Sequence, residues 1–301
     1  MDTLSEKDKS DSNEKLIGTA ATMISAIYFG IAPILSNNAM LEGCSALTVS
    51  MLRFLVSIPL LYLFIRIAHL DLHVTKAEIR DIALLSILGQ GATTVLFFWS
   101  FNFMSTGTST TIHFMYPACT VLGCMIFLKE KISRNKLICV ILSTIGILLI
   151  YNGGGDLNMT GFVLSFASSF TYAFYSIYLE HSEARKVPSM VVIFYLNIFA
   201  TVFIGLLALF TDNLTFDMTS KGWVCAVLLS LGNTFVGMFG FQIGVKRIGA
   251  QNSTMLSTVE PVTCIILGAI IFDEKIIPRI IVGTVFILAA TIAIAKSVKK
   301  E

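Results

Sequence analysis

Residues 256–276 read LSTVEPVTCIILGAIIFDEKI, and residues 112–132, 144 positions earlier, read IHFMYPACTVLGCMIFLKEKI. In each, a proline is followed by an apolar run that closes on Glu-Lys-Ile. Pro117, Glu130, Lys131 and Ile132 fall on Pro261, Glu274, Lys275 and Ile276. The same shift lays Ser109-Thr110 on Ser253-Thr254, Tyr28 on Tyr172 and Phe97 on Phe241. The chain repeats itself, and the repeated unit is too apolar to lie in water.

The rest of the chain agrees. Of 301 residues, 55% are hydrophobic and 13% charged, with a mean hydropathy of +0.81; a soluble domain is about a quarter charged. This excludes a soluble enzyme, a nucleic-acid binder and a disordered chain, and the net charge of +2 points to no polyanionic partner. A bilayer core about 30 Å thick needs roughly 20 apolar residues per helix. Ten such runs occur: 16–36, 46–66, 81–103, 107–128, 135–151, 159–180, 189–210, 222–245, 250–272 and 279–296. The period-2 alternation of a membrane barrel is missing, so helices must satisfy the backbone.

The expected fold is an all-α polytopic membrane protein, with ten transmembrane helices in two five-helix copies (16–151 and 152–296). Five is odd, so the second copy threads the membrane in the opposite sense: an inverted-topology repeat. A polar tail (1–15), too short to fold and too polar for a signal peptide, and a basic stub (297–301) flank them. Orientation follows the basic residues. All 21 except Arg53, Lys221, Lys275 and Arg279 fall on one side, giving cytoplasmic termini and an inner-membrane location. Cys119, Cys124, Cys139, Cys225 and Cys264 lie in spans and Cys44 in a loop; they have no metal-ligand spacing and read as packing residues.

Charges at membrane depth are costly and face cavities. Well inside the spans these are Arg53, His113 and Glu260. Ser109, His113, Tyr116 and Thr120 share one helical face; the shifted face carries Ser253, Ser257, Glu260 and Cys264. Two symmetry-related polar stripes belong on one central cavity. Pro117 and Pro261 free the carbonyls of His113 and Ser257 beside them and should hinge both helices. Glu260 is the leading candidate for a cationic group or a coupling proton, with His113 a relay or solute contact or a satisfied core histidine. Arg53 could hold a substrate carboxylate, snorkel outward or meet a helix end. Gln90, Trp99, Asn197, Asn233 and Gln242 can bond a ligand, although such groups also join helices. Tyr28 and Tyr172 could cap the cavity or fill the core. Gly240 and Gly244 form a GxxxG. Glu130 and Glu274 read as helix-terminus contacts.

Inverted repeats characterise secondary transporters. The expected function is a secondary-active carrier of small organic metabolites working by alternating access. Glu260 for an amine and Arg53 for a carboxylate favour zwitterionic or cationic solutes. A multidrug exporter and a passive channel are the alternatives. Gly153-Gly154-Gly155-Asp156 matches a GxGD protease string, but it lies in a loop and no span holds a partner Asp; no P-loop occurs. No cofactor or metal is expected, with proton or ion coupling open. The expected partners are a small-molecule solute and the lipid bilayer, with a homodimer open and no nucleic acid.

On these residues the chain resembles the EamA-like branch of the drug/metabolite transporter superfamily. The resemblance rests on 256–276, on 112–132, and on Arg53 followed by Pro59, and it covers about 16–296. It implies two inverted five-helix repeats, a cavity lined by spans one, three, four, six, eight and nine, and export of metabolites, amino acids or toxic compounds on proton or substrate gradients. The chain departs from the family pattern at Tyr28, where many members carry Trp, and at Tyr116, which replaces a carboxylate.

Overall fold

The computed structural model describes residues 2–104, 106–150, 158–263, 266–267 and 278–298. Gly153–Asp156, Cys264, Glu274 and Lys275 lie outside them. All regular structure among the described residues is helical. The first half runs α1 (Asp2–Leu41), α2 (Ala46–Leu55), α3 (Ile58–Ile67), α4 (Lys76–Leu84), α5 (Ala92–Ser100), α6 (Thr106–His113), α7 (Tyr116–Phe127) and α8 (Arg134–Ile150). The second runs α9 (Met159–His181), α10 (Ser189–Phe210), α11 (Ser220–Gly232), α12 (Phe239–Leu256) and α13 (Pro278–Val298).

Among the described residues seven runs are long and apolar enough to cross a membrane: Asn13–Leu41, Ala46–Ile67, Lys76–Ser100, Thr108–Phe127, Met159–His181, Ser189–Phe210 and Ser220–Thr263. Shorter apolar helices occupy α8 and Ile281–Lys296. Two features differ from the sequence reading. The polar tail is helical from Asp2, a hydrophilic extension of α1. Runs 222–245 and 250–272 are not separated by a loop: Ser220–Thr263 is continuous for 44 residues, twice the bilayer requirement. It bends at Gly249, whose φ of 82° and ψ of 162° are open essentially to glycine alone.

Local chemistry sets the other boundaries. Ser45, Thr75, Asn158 and Thr219 accept backbone N–H groups at the starts of α2, α4, α9 and α11, and Glu78 completes a capping box with Thr75. Pro59 sits in the first turn of α3, so the second span is jointed at Ser57.

The helices pack as pairs: α1 on α11 and α12, α5 on α9, α2 and α3 on α10, and α8 on α13. Gly244 lets α12 approach α1 so closely that a Cβ would overlap Thr22 Oγ1. The α2–α3 span and α10 are equivalents under the 144-residue shift, and their contacts run in opposite order. Thr48 Oγ1 accepts Thr215 N–H at 2.9 Å, Ser57 Oγ accepts from Asn197 Nδ2 at 2.8 Å, and Tyr62 meets Phe194 at 6.1 Å. The equivalent spans are antiparallel. The large buried core follows this seam and surrounds a small polar centre.

Candidate functional site

The centre is built from four broken helices. α6 ends at His113, the chain turns at Phe114–Met115, and Pro117 lies in the first turn of α7. The carbonyl of His113 meets another helix: Ser169 Oγ of α9, which has one proton to give, lies 3.0 Å from it and 3.1 Å from Ile112 O. In the second half α12 passes into a 3-10 turn, Ser257–Val259, before Glu260 and Pro261, and Glu260 N–H donates to Ser257 O. Two further breaks are π-helical, Leu85–Gly91 between α4 and α5 and Asn233–Met238 between α11 and α12. They occupy nearly equivalent places in the two copies. Such bulges widen a helix and occur at functional sites.

These breaks surround a pocket to which Arg53, Gln90, His113, Tyr172, Asn233 and Glu260 contribute, with Phe29, Phe97, Phe98 and Phe114 as its apolar walls. About 40 Å³ is open to the centres of water-sized molecules, room for a few waters. A metabolite fits only if the helices part.

Arg53 does not snorkel. It is 8% exposed, donates from Nη1 to Thr94 Oγ1 at 2.8 Å and from Nη2 to Gln90 Oε1 at 3.4 Å, and lies 5.3 Å from the Phe54 ring centroid and 5.9 Å from that of Phe98. Its Nε has no partner, and among the described residues no carboxylate forms an ion pair with it. A buried guanidinium without a counter-ion is costly, and the cavity beside it is where an anionic group would fit. Glu260, 5% exposed, accepts a hydrogen bond from Tyr116 OH at 2.8 Å. One pocket therefore holds a cation and a carboxyl group. Tyr172 crosses Tyr116 edge-on at 4.6 Å, and its buried hydroxyl has no partner; neither do Asn233 Oδ1 and Nδ2.

His113 stacks on Phe97 at 4.4 Å, and its Nδ1 meets Ser168 Oγ at 2.8 Å. Ser168 gives its single hydroxyl proton to Ser165 O at 2.6 Å, so Nδ1 is the donor and a neutral ring keeps Nε2 as acceptor.

The other sequence candidates are dispersed. Ser257 is buried one turn before Glu260. Trp99, 37% exposed, lines a separate hollow near Cys44. Tyr28 OH donates to Leu228 O at 2.6 Å, and its ring packs on Gly232. Asn197 ties Ser57 to Thr234, and Gln242 donates to Tyr175 OH. Sequence reasoning passed over Thr94, Ser168 and Ser169, whose hydroxyls look like ordinary helix residues. It also passed over Asp81, 3% exposed at the edge of its span and held by Arg80, Tyr178 OH and Glu183 N–H. Glycines on both sides of Gln90 were the available signal for the first π-segment.

Residues 16–152 and 159–296 each match the model of the EamA-like transporter family. The chain is similar to an uncharacterized transporter of Archaeoglobus fulgidus, 24% identical over 286 residues, covering 91% of this chain and 95% of that one. An uncharacterized transporter of Clostridium kluyveri is 20% identical over 291 residues, covering 92% and 93%. One solved crystal structure superposes with a TM-score of 0.79 at 13% identity, covering 92% of this chain and 95% of the other; that likeness concerns the fold.

Proposed function

We infer that this chain, which belongs to the EamA-like transporter family, is a secondary-active exporter of small zwitterionic or cationic metabolites, amino-acid-like in charge, working by alternating access. It is a multi-pass membrane protein. The finer reading is ten spans in two inverted repeats with cytoplasmic termini. The antiparallel run of α2–α3 against α10 supports inversion, and the bend at Gly249 supports counting Ser220–Thr263 as two spans.

The observation that carries the functional reading is the pairing, in one buried pocket, of the Glu260 carboxyl and an Arg53 that has no counter-ion among the described residues. A carboxylate would satisfy Arg53 Nε and, alongside it, Asn233 Nδ2. An amine would lie toward Glu260 and the aromatic faces, which attract cations. Between the halves, Pro117 and Pro261 supply hinges. The small volume of the pocket favours a carrier over a channel, which needs a continuous polar pore. The aromatic walls alone would suit a multidrug exporter of lipophilic cations; Arg53 in the same pocket weighs against it.

The deciding experiment is ligand-dependent thermal stabilisation of purified protein across a metabolite library. Amino acids, their decarboxylated amines and their N-acetyl derivatives form matched sets. Stabilisation by ligands that carry the amine, strongest for the zwitterion and lost in Glu260→Gln, is expected. Indifference to both the amine and the carboxylate across the library would refute the reading.

A further inference from the structure

The 144-residue shift pairs positions at one end of the helix bundle with positions at the other, and the two ends are closed differently. Asn102 and Lys246 are such a pair. Asn102 borders a hollow with about 190 Å³ open to water-sized molecules, lined also by Cys44, Ser45, Trp99 and Asn213. The hollow and the central pocket are separate but are lined by the same helices. Pro33 of α1 lines the pocket and Met40 the hollow, seven residues on, or about 10 Å of helix.

At the opposite end, where Glu14 pairs with Arg247 at 2.7 Å, the equivalent residue makes a tie instead: Lys246 Nζ donates to Val187 O at 2.5 Å. Val187 is the equivalent of Gly43, next to Cys44. Arg185 locks the same turn, donating from Nη2 to Lys246 O at 3.0 Å and from Nη1 to Glu180 O at 3.3 Å. Glu180 Oε2 accepts Ala250 N–H at 2.6 Å, just past the Gly249 bend. A lysine with four methylenes reaches that carbonyl; asparagine is three methylenes shorter, and beside it lies the hollow. The loop tie at the hollow end, Glu42 to Thr219 and Lys221, joins α1 to α11 and leaves the Asn102 side open.

We propose that the hollow beside Asn102 and Trp99 is the vestibule joining the central pocket to one side of the membrane, and that the Lys246–Arg185–Glu180 clasp is the gate shut against the other. Vestibule and gate exchange states during transport. The vestibule offers neutral amides, a hydroxyl and an indole face, which suit passage of a small polar organic solute without trapping it by charge. The proposal rests on the carrier reading above.

The test needs neither solute nor membrane sidedness. In a cysteine-free background, Asn102→Cys and Ser253→Cys report the two ends; Ser253 is fully buried between the Gly249 bend and Glu260. Each is reacted with a charged methanethiosulfonate in nanodiscs, with the clasp intact and with Arg185→Ala or Lys246→Met. Opening the gate should speed Ser253→Cys labelling about tenfold for a population shift near 1.4 kcal/mol, while Asn102→Cys labelling, which reads the major state, slows only slightly. Rates that rise together, which mark general loosening, or rates unchanged in both clasp variants overturn the proposal. Because no solute enters the assay, its failure leaves the carrier reading standing, and failure of the metabolite screen leaves these rates interpretable.

Discussion

Tyr116 and Glu260 hold equivalent places in the two halves of the chain and are hydrogen-bonded to each other, the phenol donating to Oε1 at 2.8 Å across 144 residues of sequence. The two proline-broken helices therefore meet beside the central pocket, to whose lining Glu260 contributes. There the duplicated sequence has diverged. One copy supplies a donor and the other an acceptor, and a pair of identical carboxylates would repel at this distance.

Tyr116→Phe removes that donor and little else. A hydrogen bond between membrane helices contributes about 0.6–1.7 kcal/mol, so a small fall in thermal stability is expected, together with a marked loss of solute stabilisation. Glu260→Gln keeps an oxygen to accept from Tyr116 and should unfold close to the wild-type temperature. Comparable melting curves with unequal ligand responses, read by fluorescence-detected unfolding, would separate binding from packing. A Gln variant that collapses would assign Glu260 to the scaffold.

Arg53 breaks no ion pair when removed, because none is present among the described residues. Arg53→Ala should therefore fold, while affinity for carboxylate-bearing ligands falls by at least about tenfold, 1.4 kcal/mol. Arg53→Lys should restore little of it, since an ammonium cannot reproduce the planar fork. Isothermal titration on the two variants checks this, and full rescue by lysine would argue for a simple charge requirement.

Ser169→Ala removes the hydroxyl shared by the His113 and Ile112 carbonyls; Ile112 O keeps Met115 N–H, and the His113 carbonyl loses its donor. An unsatisfied buried acceptor costs about 1–3 kcal/mol. The unfolding temperature should drop, whereas Ser176→Ala, whose hydroxyl bonds its own helix at Tyr172 O, should leave it nearly unchanged. Equal drops would remove the special role given to Ser169.

At the end of α1, outside the membrane-spanning segments, the Glu42 carboxyl is held below its usual range, first by the Thr219 hydroxyl and then by Lys221. A depressed folded value means the tie is complete above the ordinary carboxylate range and lost as pH falls through the lowered one. Hydrogen exchange at residues 42–45 and 217–221, corrected for intrinsic rate, should rise on acidification in the wild type. In Glu42→Gln it should already be faster at neutral pH. A flat profile in the wild type would show that the carboxylate does not hold these loops.

Membrane residence, helical class, the internal repeat and the helix breaks at the two prolines were legible in the chain itself. Each depends on local composition or on spacing along one helix, and hydrocarbon leaves an unpaired backbone no other solution. The relation between Tyr116 and Glu260 was half legible: the shift aligned them, but nothing in one dimension said that they touch. Trp99 and Gln242 show the limit. Each is a plausible ligand group by type, yet one lies in a different hollow and the other bonds Tyr175.

Hydrophobic length and repeat spacing are properties of the chain, and they alone establish that this protein lies in a bilayer as two related sets of helices. It took the folded arrangement to show which polar groups share a pocket, that Arg53 there has no counter-ion among the described residues, and that Lys246 ties to Val187 O while its equivalent Asn102 borders a hollow. Those outcomes depend on how antiparallel helices register against one another, and that register is set by packing between segments far apart in sequence.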